Sequence, residues 1–170
     1  DKKDSQAITG YGALQSDPED VIDLPKGFSY KIIGKAGEKM DDGLNLPGAP
    51  DGMATFKGPD GLTLLVRNHE GNAGSGAKGG AFGSGNKNLT DELRKSMYDS
   101  GKAAPSLGGT STVVYDTKKQ KVVRQFLSLA GTLRNCAGGP TPWDSWVTCE
   151  ETVEKAGELC AKDHGWCFEV

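Results

Sequence analysis

The sequence predicts an all-β protein with one short helix and long glycine-rich loops. Gly accounts for 25 of the 170 residues and only 35% of residues are apolar, which suits many short strands and turns better than a helix bundle. Short stretches of alternating apolar and polar residues are separated by turn-forming residues, as in antiparallel hairpins. No helical stretches alternate with them, so a parallel sheet is not expected. These observations leave a β-sandwich and a β-propeller open.

The N-terminal part is expected to hold an arm and one strand. Residues 1–20 are polar and predict an extended arm. Alternation over residues 28–33 predicts a strand. Residues 34–52 contain Gly, Asp, Asn and Pro throughout and predict a loop.

Two hairpins are expected further along the chain. Residues 53–56 and 62–68 predict the first, because Pro59-Asp60-Gly61 between them supplies the residues of a tight turn. Residues 110–115 and 121–129 alternate on either side of a polar turn and predict the second.

The remaining elements are a loop, a helix and two strands. Residues 71–85 contain seven glycines in fifteen positions, which predicts a long flexible loop. Thr90 is a good N-cap and is followed by two acidic and then two basic residues, so we expect one short helix over residues 91–99. Residues 145–149 and 166–170 predict further strands.

Charge and motif content exclude several classes of function. The net charge is −3 with an isoelectric point near 5.4, so there is no basic surplus and we expect no nucleic-acid partner. No apolar run approaches the roughly 18 residues that a membrane helix needs, so we expect no membrane partner. The chain opens on Asp1 without an apolar leader, which predicts a processed or trimmed N-terminus. No serine-hydrolase elbow and no P-loop occurs.

The four cysteines do not form a metal-finger pattern. They are Cys136, Cys149, Cys160 and Cys167, without a Cys-x-x-Cys pair, and the chain has only two histidines. We therefore expect no structural zinc site. Cys160 and Cys167 lie seven residues apart, and a disulfide and two free thiols are equally open there.

Four polar residues end the apolar strand of the first hairpin and form the first candidate site. They are Arg67, Asn68, His69 and Glu70. Side chains at a strand end are held rigidly at the rim of a sheet, where functional residues gather. Glu70 offers hard oxygen ligands, and His69 could serve as a ligand or a base. A solvated strand end with an Arg–Glu ion pair is the alternative.

The segment from Arg134 to Glu151 forms the second candidate site. Cys136 could supply a thiolate, which is a soft ligand suited to iron or zinc. Glu150 and Glu151 are adjacent, so in extended backbone they point to opposite faces and at most one aims at a common site. Arg134 could orient a phosphate through paired hydrogen bonds. Structural cysteines in a loop and two surface glutamates are the alternative.

Several runs of residues resemble the PhoX family of alkaline phosphatases. The resemblance covers nearly the whole chain from Tyr11 onward and is most specific in its last run. The runs are Gly10–Gly12, Leu24–Tyr30, Pro50–Ala54, Leu65–Glu70, Leu107–Thr112 and Leu129–Glu151.

The resemblance implies a β-propeller whose channel end holds iron and calcium. Residues 21–170 would be the N-terminal portion of that propeller, about two to three blades, continuing beyond residue 170 into a remainder that acts as a partner. The implied reaction is hydrolysis of small phosphate monoesters in the periplasm or outside the cell. Two other functions stay open, a non-catalytic propeller that binds calcium and a propeller hydrolase of another ester class.

The resemblance also implies roles for individual residues. Cys136 would be a thiolate iron ligand and not the nucleophile, and Glu151 is preferred to Glu150 as a carboxylate ligand. The candidate metal ligands are Cys136, Glu70, Glu151, Glu150 and Asn68. The candidate catalytic residues are Arg134, Asn135 and His69.

Overall fold

The computed structural model describes residues 10–74 and 80–170, so residues 75–79 of the expected glycine-rich loop and most of the first half of the expected arm lie outside the described residues. The chain divides into two compact units, Asp1–Ile32 and Ile33–Val170. Within the first unit, strand β1 (Leu14–Gln15) pairs antiparallel with strand β2 (Leu24–Pro25).

The strand expected over residues 28–33 is wrong, because these residues adopt no regular structure. The Asp17 carboxylate organises this region instead. It accepts hydrogen bonds from the backbone N–H groups of Glu19, Val21 and Ile22 and, at 2.7 Å, from the Tyr30 hydroxyl. The Tyr30 bond is the main reason that the pKa of Asp17 falls to about 2. A side-chain bond thus fixes Tyr30, where the alternation predicts a ladder of backbone bonds.

The second unit contains a four-stranded sheet, a short helix and a three-stranded sheet, all strand pairs being antiparallel. The first sheet is a simple meander in which each strand pairs with the next. Its strands are β3 (Pro50–Lys57), β4 (Thr63–His69), β5 (Gly108–Asp116) and β6 (Lys121–Thr132). The helix is α1 (Asp91–Ser96), and the last sheet comprises β7 (Asn135–Pro140), β8 (Trp146–Glu150) and β9 (Cys167–Glu169).

Both expected hairpins are confirmed as β3–β4 and β5–β6. Residues Pro59–Gly61 form a 3₁₀ turn in which Asp60 and Gly61 have φ of 54° and 77°. Asp and Gly tolerate this left-handed region better than most residues, so the turn follows from local sequence chemistry.

The helix begins where the sequence predicts and ends three residues early. The Thr90 side chain accepts a hydrogen bond of 3.2 Å from the Leu93 N–H, as an N-cap should. Beyond Ser96 the chain turns extended, and the N–H groups of Tyr98 and Asp99 donate to the carbonyls at the end of β6. Pairing with the sheet therefore takes the backbone groups that another helical turn would have used.

Strand β7 is not predicted by the sequence, because glycine and proline disfavour strands. Gly138 nevertheless suits this strand for a steric reason. A Cβ atom at Gly138 would lie 1.9 Å from the Val147 carbonyl oxygen of β8. The neighbouring strand thus approaches so closely that only glycine fits.

The main apolar cluster lies beside the meander. Its buried members are Met40, Leu44, Leu46, Ala81, Phe82 and Met97. Ala81 and Phe82 belong to the segment expected to be a flexible loop, and their burial shows that its distal end is part of the core. In the described part of the chain no helix has the length and apolarity to cross a bilayer.

The structure does not bring Cys160 and Cys167 together as a disulfide. All four cysteines are free, Cys160 is buried, and the Cys167 sulfur lies 2.9 Å from that of Cys149. Cys149 and Cys167 face each other on β8 and β9. Backbone hydrogen bonds join Trp146 to Val170 and Glu150 to Trp166. Hydrogen-bonded and non-hydrogen-bonded pairs alternate along an antiparallel ladder, so Cys149 and Cys167 form a non-hydrogen-bonded pair, in which the Cα atoms are about 4.5 Å apart.

We expect a disulfide-donating oxidant such as oxidised glutathione to join Cys149 to Cys167. The two thiols lose two electrons and two protons, and a Cα separation of about 4.5 Å accepts the bond without backbone movement. A loop of this length predicts about 3 kcal/mol of added stability. Peptide mapping after oxidation should show the Cys149–Cys167 link, and a dominant Cys160–Cys167 link would contradict the pairing.

Candidate functional site

The end of β4 meets the start of β7 through the Asn68 side chain. Its amide nitrogen donates to the carbonyls of Cys136 and Ala137 at 2.9 and 3.1 Å, and its oxygen accepts from the Trp146 indole at 2.9 Å. Asn68 is fully buried. Both N–H groups of this amide and one of the two lone pairs of its oxygen are therefore used within the protein. Asn68 thus fixes the backbone that carries Cys136.

His69, the last residue of β4, is buried. Nδ1 lies 2.9 Å from the Gly48 carbonyl and Nε2 lies 2.7 Å from the Ser111 hydroxyl. A neutral ring that donates from Nδ1 and accepts at Nε2 satisfies both contacts. Burial is the main reason that the pKa of His69 falls to about 4, and the charge of nearby Arg67 lowers it further. His69 is therefore neutral near pH 7.

Acidification is expected to destabilise the fold through His69. The unfolded side chain, with its ordinary pKa of about 6.5, binds a proton before the folded one does, so stability falls as pH drops from about 6.5 towards 4. The loss should reach about 3 kcal/mol. Chemical denaturation at several pH values should show this slope, and His69→Gln should flatten it. An unchanged slope in that variant would assign the acid sensitivity to other groups.

Arg134 lies between two of the expected carboxylates. Its Nε is 3.5 Å from Glu70 Oε1 and its Nη2 is 3.3 Å from Glu151 Oε2. The backbone holds the three together, because Arg134 donates to the Gly71 carbonyl and Glu151 donates to the Arg134 carbonyl. Arg134 adopts φ of 47°, a conformation that costs energy for a residue with a side chain.

The Cys136 thiol lies among three carboxylates. Its pKa is raised first by burial, then by the charges of Asp51, Glu151 and Glu70 and by a hydrogen bond with Asp51. Without a cation the sulfur therefore stays a neutral thiol, and a cation at this position would relieve the repulsion and favour the thiolate.

Glu150 and Asn135 are part of the interior. The Glu150 carboxylate accepts hydrogen bonds from the backbone of Leu133, Gly165 and Trp166 and contacts the His164 ring at 2.6 Å. Asn135 is fully buried and donates to the Thr148 hydroxyl at 3.0 Å. Glu151, next to Glu150, is exposed, so the two carboxylates do face opposite ways.

A family model described as alkaline phosphatase PhoX matches residues 9–170. The chain belongs to the PhoX alkaline phosphatase family. The resemblance carried by the sequence motifs is thereby confirmed. Searches of curated proteins and of solved structures each find no match.

The expected site residues fall into two groups, one accessible and one enclosed. Glu70, Arg134, Cys136 and Glu151 are partly or fully accessible, and we call these four residues the rim. Asn68, His69 and Asn135 are buried, and the Glu150 side chain is enclosed as well. Among residues 10–74 and 80–170, the rim groups do not converge on one point as closely as a single-ion site requires. The Arg134 guanidinium lies between the carboxylates of Glu70 and Glu151 and holds them apart.

Asp51 is the site residue that the sequence reasoning misses. The run Pro50-Asp51-Gly52 falls in the segment expected to be a loop, yet it opens β3, and Asp51 lies near enough to the Cys136 thiol to raise its pKa. A Cβ on Gly52 would lie 2.7 Å from the Cys136 carbonyl oxygen, so glycine is needed for this approach. A clue was present in the sequence, since the run is among those that resemble the PhoX family.

Two clefts open beside the rim. One of about 420 Å³ is lined by Arg134, Lys155 and Cys160 among others, and one of about 260 Å³ is lined by Glu70. The larger is of a size that accepts a small organic molecule, and its lining carries two cationic side chains, Arg134 and Lys155, and two carboxylates, Glu154 and Glu158.

Proposed function

We propose that the chain supplies part of the active site of a metal-dependent phosphomonoesterase, which releases inorganic phosphate from small organic phosphate esters. The observation that carries the proposal is the arrangement of Arg134 between Glu70 and Glu151, beside a Cys136 thiol surrounded by carboxylates. Membership in the PhoX alkaline phosphatase family supports the hydrolysis of phosphate esters as the reaction.

The donor set of the rim fits the proposed metals. Cys136 would hold iron through its sulfur, and the carboxylates of Glu70, Glu151 and Asp51 would hold iron or calcium through oxygen. The raised pKa of the Cys136 thiol, caused first by burial and then by these carboxylates, supports a site built for cations. When bound, such cations neutralise phosphate oxygens and activate the attacking oxygen.

Arg134 would orient the substrate. Its ion pairs of 3.3 and 3.5 Å are long for charge-assisted bonds. If cations took over the charges of Glu70 and Glu151, the Arg134 guanidinium would be free to form paired hydrogen bonds with a phosphate.

The buried residues would position the rim and not touch the substrate. Asn68 fixes the Cys136 backbone. His69 and Asn135 are fully enclosed, and Glu150 is committed to backbone N–H groups. We therefore assign these four a structural role in the proposed enzyme, with Asp51 added to the metal set.

We further propose that the meander β3–β6 is one blade of a propeller and that β7–β9 begin the next. A blade is a four-stranded antiparallel sheet, and the meander has that order. Strands from outside this sequence would complete the ring, and the periplasm or the cell exterior is the proposed location.

Hydrolysis of a generic phosphate monoester by the protein that carries this sequence tests the proposal. We expect turnover that falls to background after a strong chelator and returns with iron and calcium. A carboxyl ester and a lactone serve as control substrates. Turnover of a control substrate alone would favour another hydrolase class, and bound calcium and iron without any turnover would favour a binding protein.

A further inference from the structure

A second group of ligand-type side chains lies inside the protein, apart from the rim. Asp99, Cys160 and His164 bring a carboxylate oxygen, a sulfur and a ring nitrogen within 4.8 Å of one another. All three are buried, with relative exposures of 1%, 4% and 3%. In the described ranges, 10–74 and 80–170, this is the one group of three such atoms so close together.

The His164 ring is oriented as a metal-binding histidine is. Nδ1 lies 2.6 Å from Glu150 Oε1, and Nε2 lies 3.1 Å from Asp99 Oδ2. Carboxylate oxygens only accept, so a neutral ring can satisfy one of these contacts by donating, and the other calls for a second ring proton or for a cation. Histidines that bind metals commonly donate their second N–H to a carboxylate, as Nδ1 does here.

Asp99 is held in place as a ligand would be. Its Oδ2 accepts from the N–H groups of Ala161 and Lys162 at 2.9 and 3.1 Å, and its Oδ1 accepts from Gly101 at 2.7 Å. These backbone bonds keep the carboxylate ionised against its burial, so the pKa of Asp99 is lowered. Carboxylates that ligate metals are in general fixed by such hydrogen bonds.

Ser106 supplies an independent observation. Its side chain is fully buried, and its hydroxyl oxygen makes no hydrogen bond of normal geometry with any described residue. The same hydroxyl lies close enough to the Cys160 sulfur to influence that thiol. A buried polar group without a partner is costly, and this one lies beside Cys160, one member of the ligand group.

The distances suit a tetrahedral ion. Zn–N and Zn–O bonds of about 2.0–2.1 Å place two such ligands about 3.3 Å apart, and a Zn–S bond of about 2.3 Å places the sulfur slightly farther away. The observed separation of 3.1 Å between His164 Nε2 and Asp99 Oδ2 is close to this value. The larger cleft reaches Cys160 and offers a path for the ion.

We propose that Asp99, Cys160 and His164 bind a tetrahedral divalent transition metal such as Zn²⁺, with the Ser106 hydroxyl at or against the fourth position. This site is distinct from the rim and does not depend on the proposed phosphatase function. Binding releases the Cys160 thiol proton, and any proton shared by His164 and Asp99, to solvent. The metal would anchor residues 151–166, which contain neither helix nor strand.

The expectation of no structural zinc site rests on sequence spacing, and spacing cannot detect these ligands. Asp99 follows the helix, whereas Cys160 and His164 belong to the irregular segment between β8 and β9. The charge of the surroundings favours a cation, because burial and then the carboxylates of Asp99, Glu154 and Glu150 raise the pKa of the Cys160 thiol.

Cobalt and zinc binding to the metal-free full chain tests the proposal. We expect one equivalent of Co²⁺ to give a thiolate-to-cobalt charge-transfer band and the strong visible absorption of a tetrahedral ion. Both should persist in Cys136→Ala, which removes the rim thiol, and in the control Cys149→Ser. Cys160→Ser should lower Zn²⁺ affinity more than about 100-fold, the upper end of effects seen for residues behind the ligands.

Zinc-edge X-ray absorption of the unaltered chain keeps the test decisive if the Cys160 variant fails to fold. The proposal expects one sulfur at about 2.3 Å together with nitrogen and oxygen ligands. A zinc ion without sulfur, a band that disappears in Cys136→Ala or Cys149→Ser, or no zinc retained against a mild chelator would overturn it.

Discussion

Cys136→Ala is expected to lose bound iron and phosphatase activity together. The thiol is surrounded by the carboxylates of Asp51, Glu70 and Glu151, whose charges with burial raise its pKa. Removing the sulfur takes away the one soft donor of the rim and leaves a set of oxygen ligands that suits calcium better than iron. We expect turnover to fall at least about 1,000-fold, comparable to the loss of a principal electrostatic group in other active sites.

Metal content and turnover, measured on the same preparation, check this expectation. Cys167→Ala is a matched control, because Cys167 is an exposed cysteine on β9. It should keep both iron and activity. Full activity of Cys136→Ala with iron retained would remove Cys136 from the metal set.

Gly138→Ala is expected to destabilise the protein and displace the segment that carries Cys136. The added Cβ would lie 1.9 Å from the Val147 carbonyl oxygen and 2.9 Å from the Trp146 ring. Both are held in place, Val147 by pairing within the sheet and Trp146 by its bond to Asn68. Overpacking of this severity costs about 3 kcal/mol, or about 6–12 °C in melting temperature for a chain of this size.

Gly139→Ala makes the same chemical change one residue later. A Cβ there meets nothing within 4 Å, so we expect a change within about 0.5 kcal/mol. Thermal melts and turnover of the two variants distinguish the steric clash at Gly138 from the general effect of replacing a glycine in β7. Equal losses in both would show that the close approach of β7 and β8 is not what requires glycine.

Features set by neighbouring residues could be predicted from the sequence. The turn at Pro59–Gly61 and the cap at Thr90 each depend on a few adjacent residues, and both occur as expected. Adjacent residues in extended backbone face opposite ways, and Glu150, the last residue of β8, and Glu151 directly after it do so.

Features set by distant contacts could not be predicted in this way. Residues 28–33 alternate like a strand but are held by the Asp17 carboxylate. Strand β7 contains residues that disfavour strands, and it forms because Gly138 admits the close approach of β8. Cys167 faces Cys149, not Cys160, because the register of β8 and β9 decides the pair.

The candidate site shows the same division. Motif resemblance brings Glu70, Cys136 and Glu151 to attention, and the structure places them around Arg134. The role of Asp51 requires the fold, since only the packing of β3 beside β7, which belong to different sheets, brings it near the thiol. The group of Asp99, Cys160 and His164 likewise combines segments more than 60 residues apart in sequence.

Iron-edge anomalous diffraction from crystals of the protein that carries this sequence, with inorganic phosphate bound, tests the central claim most directly. We expect an anomalous peak in coordinating contact with the Cys136 sulfur and with Glu70 or Glu151, and a phosphate beside the Arg134 guanidinium. Phosphate at Arg134 without iron at Cys136 in an active preparation, or iron found only at Asp99, Cys160 and His164, would contradict the proposed metal centre.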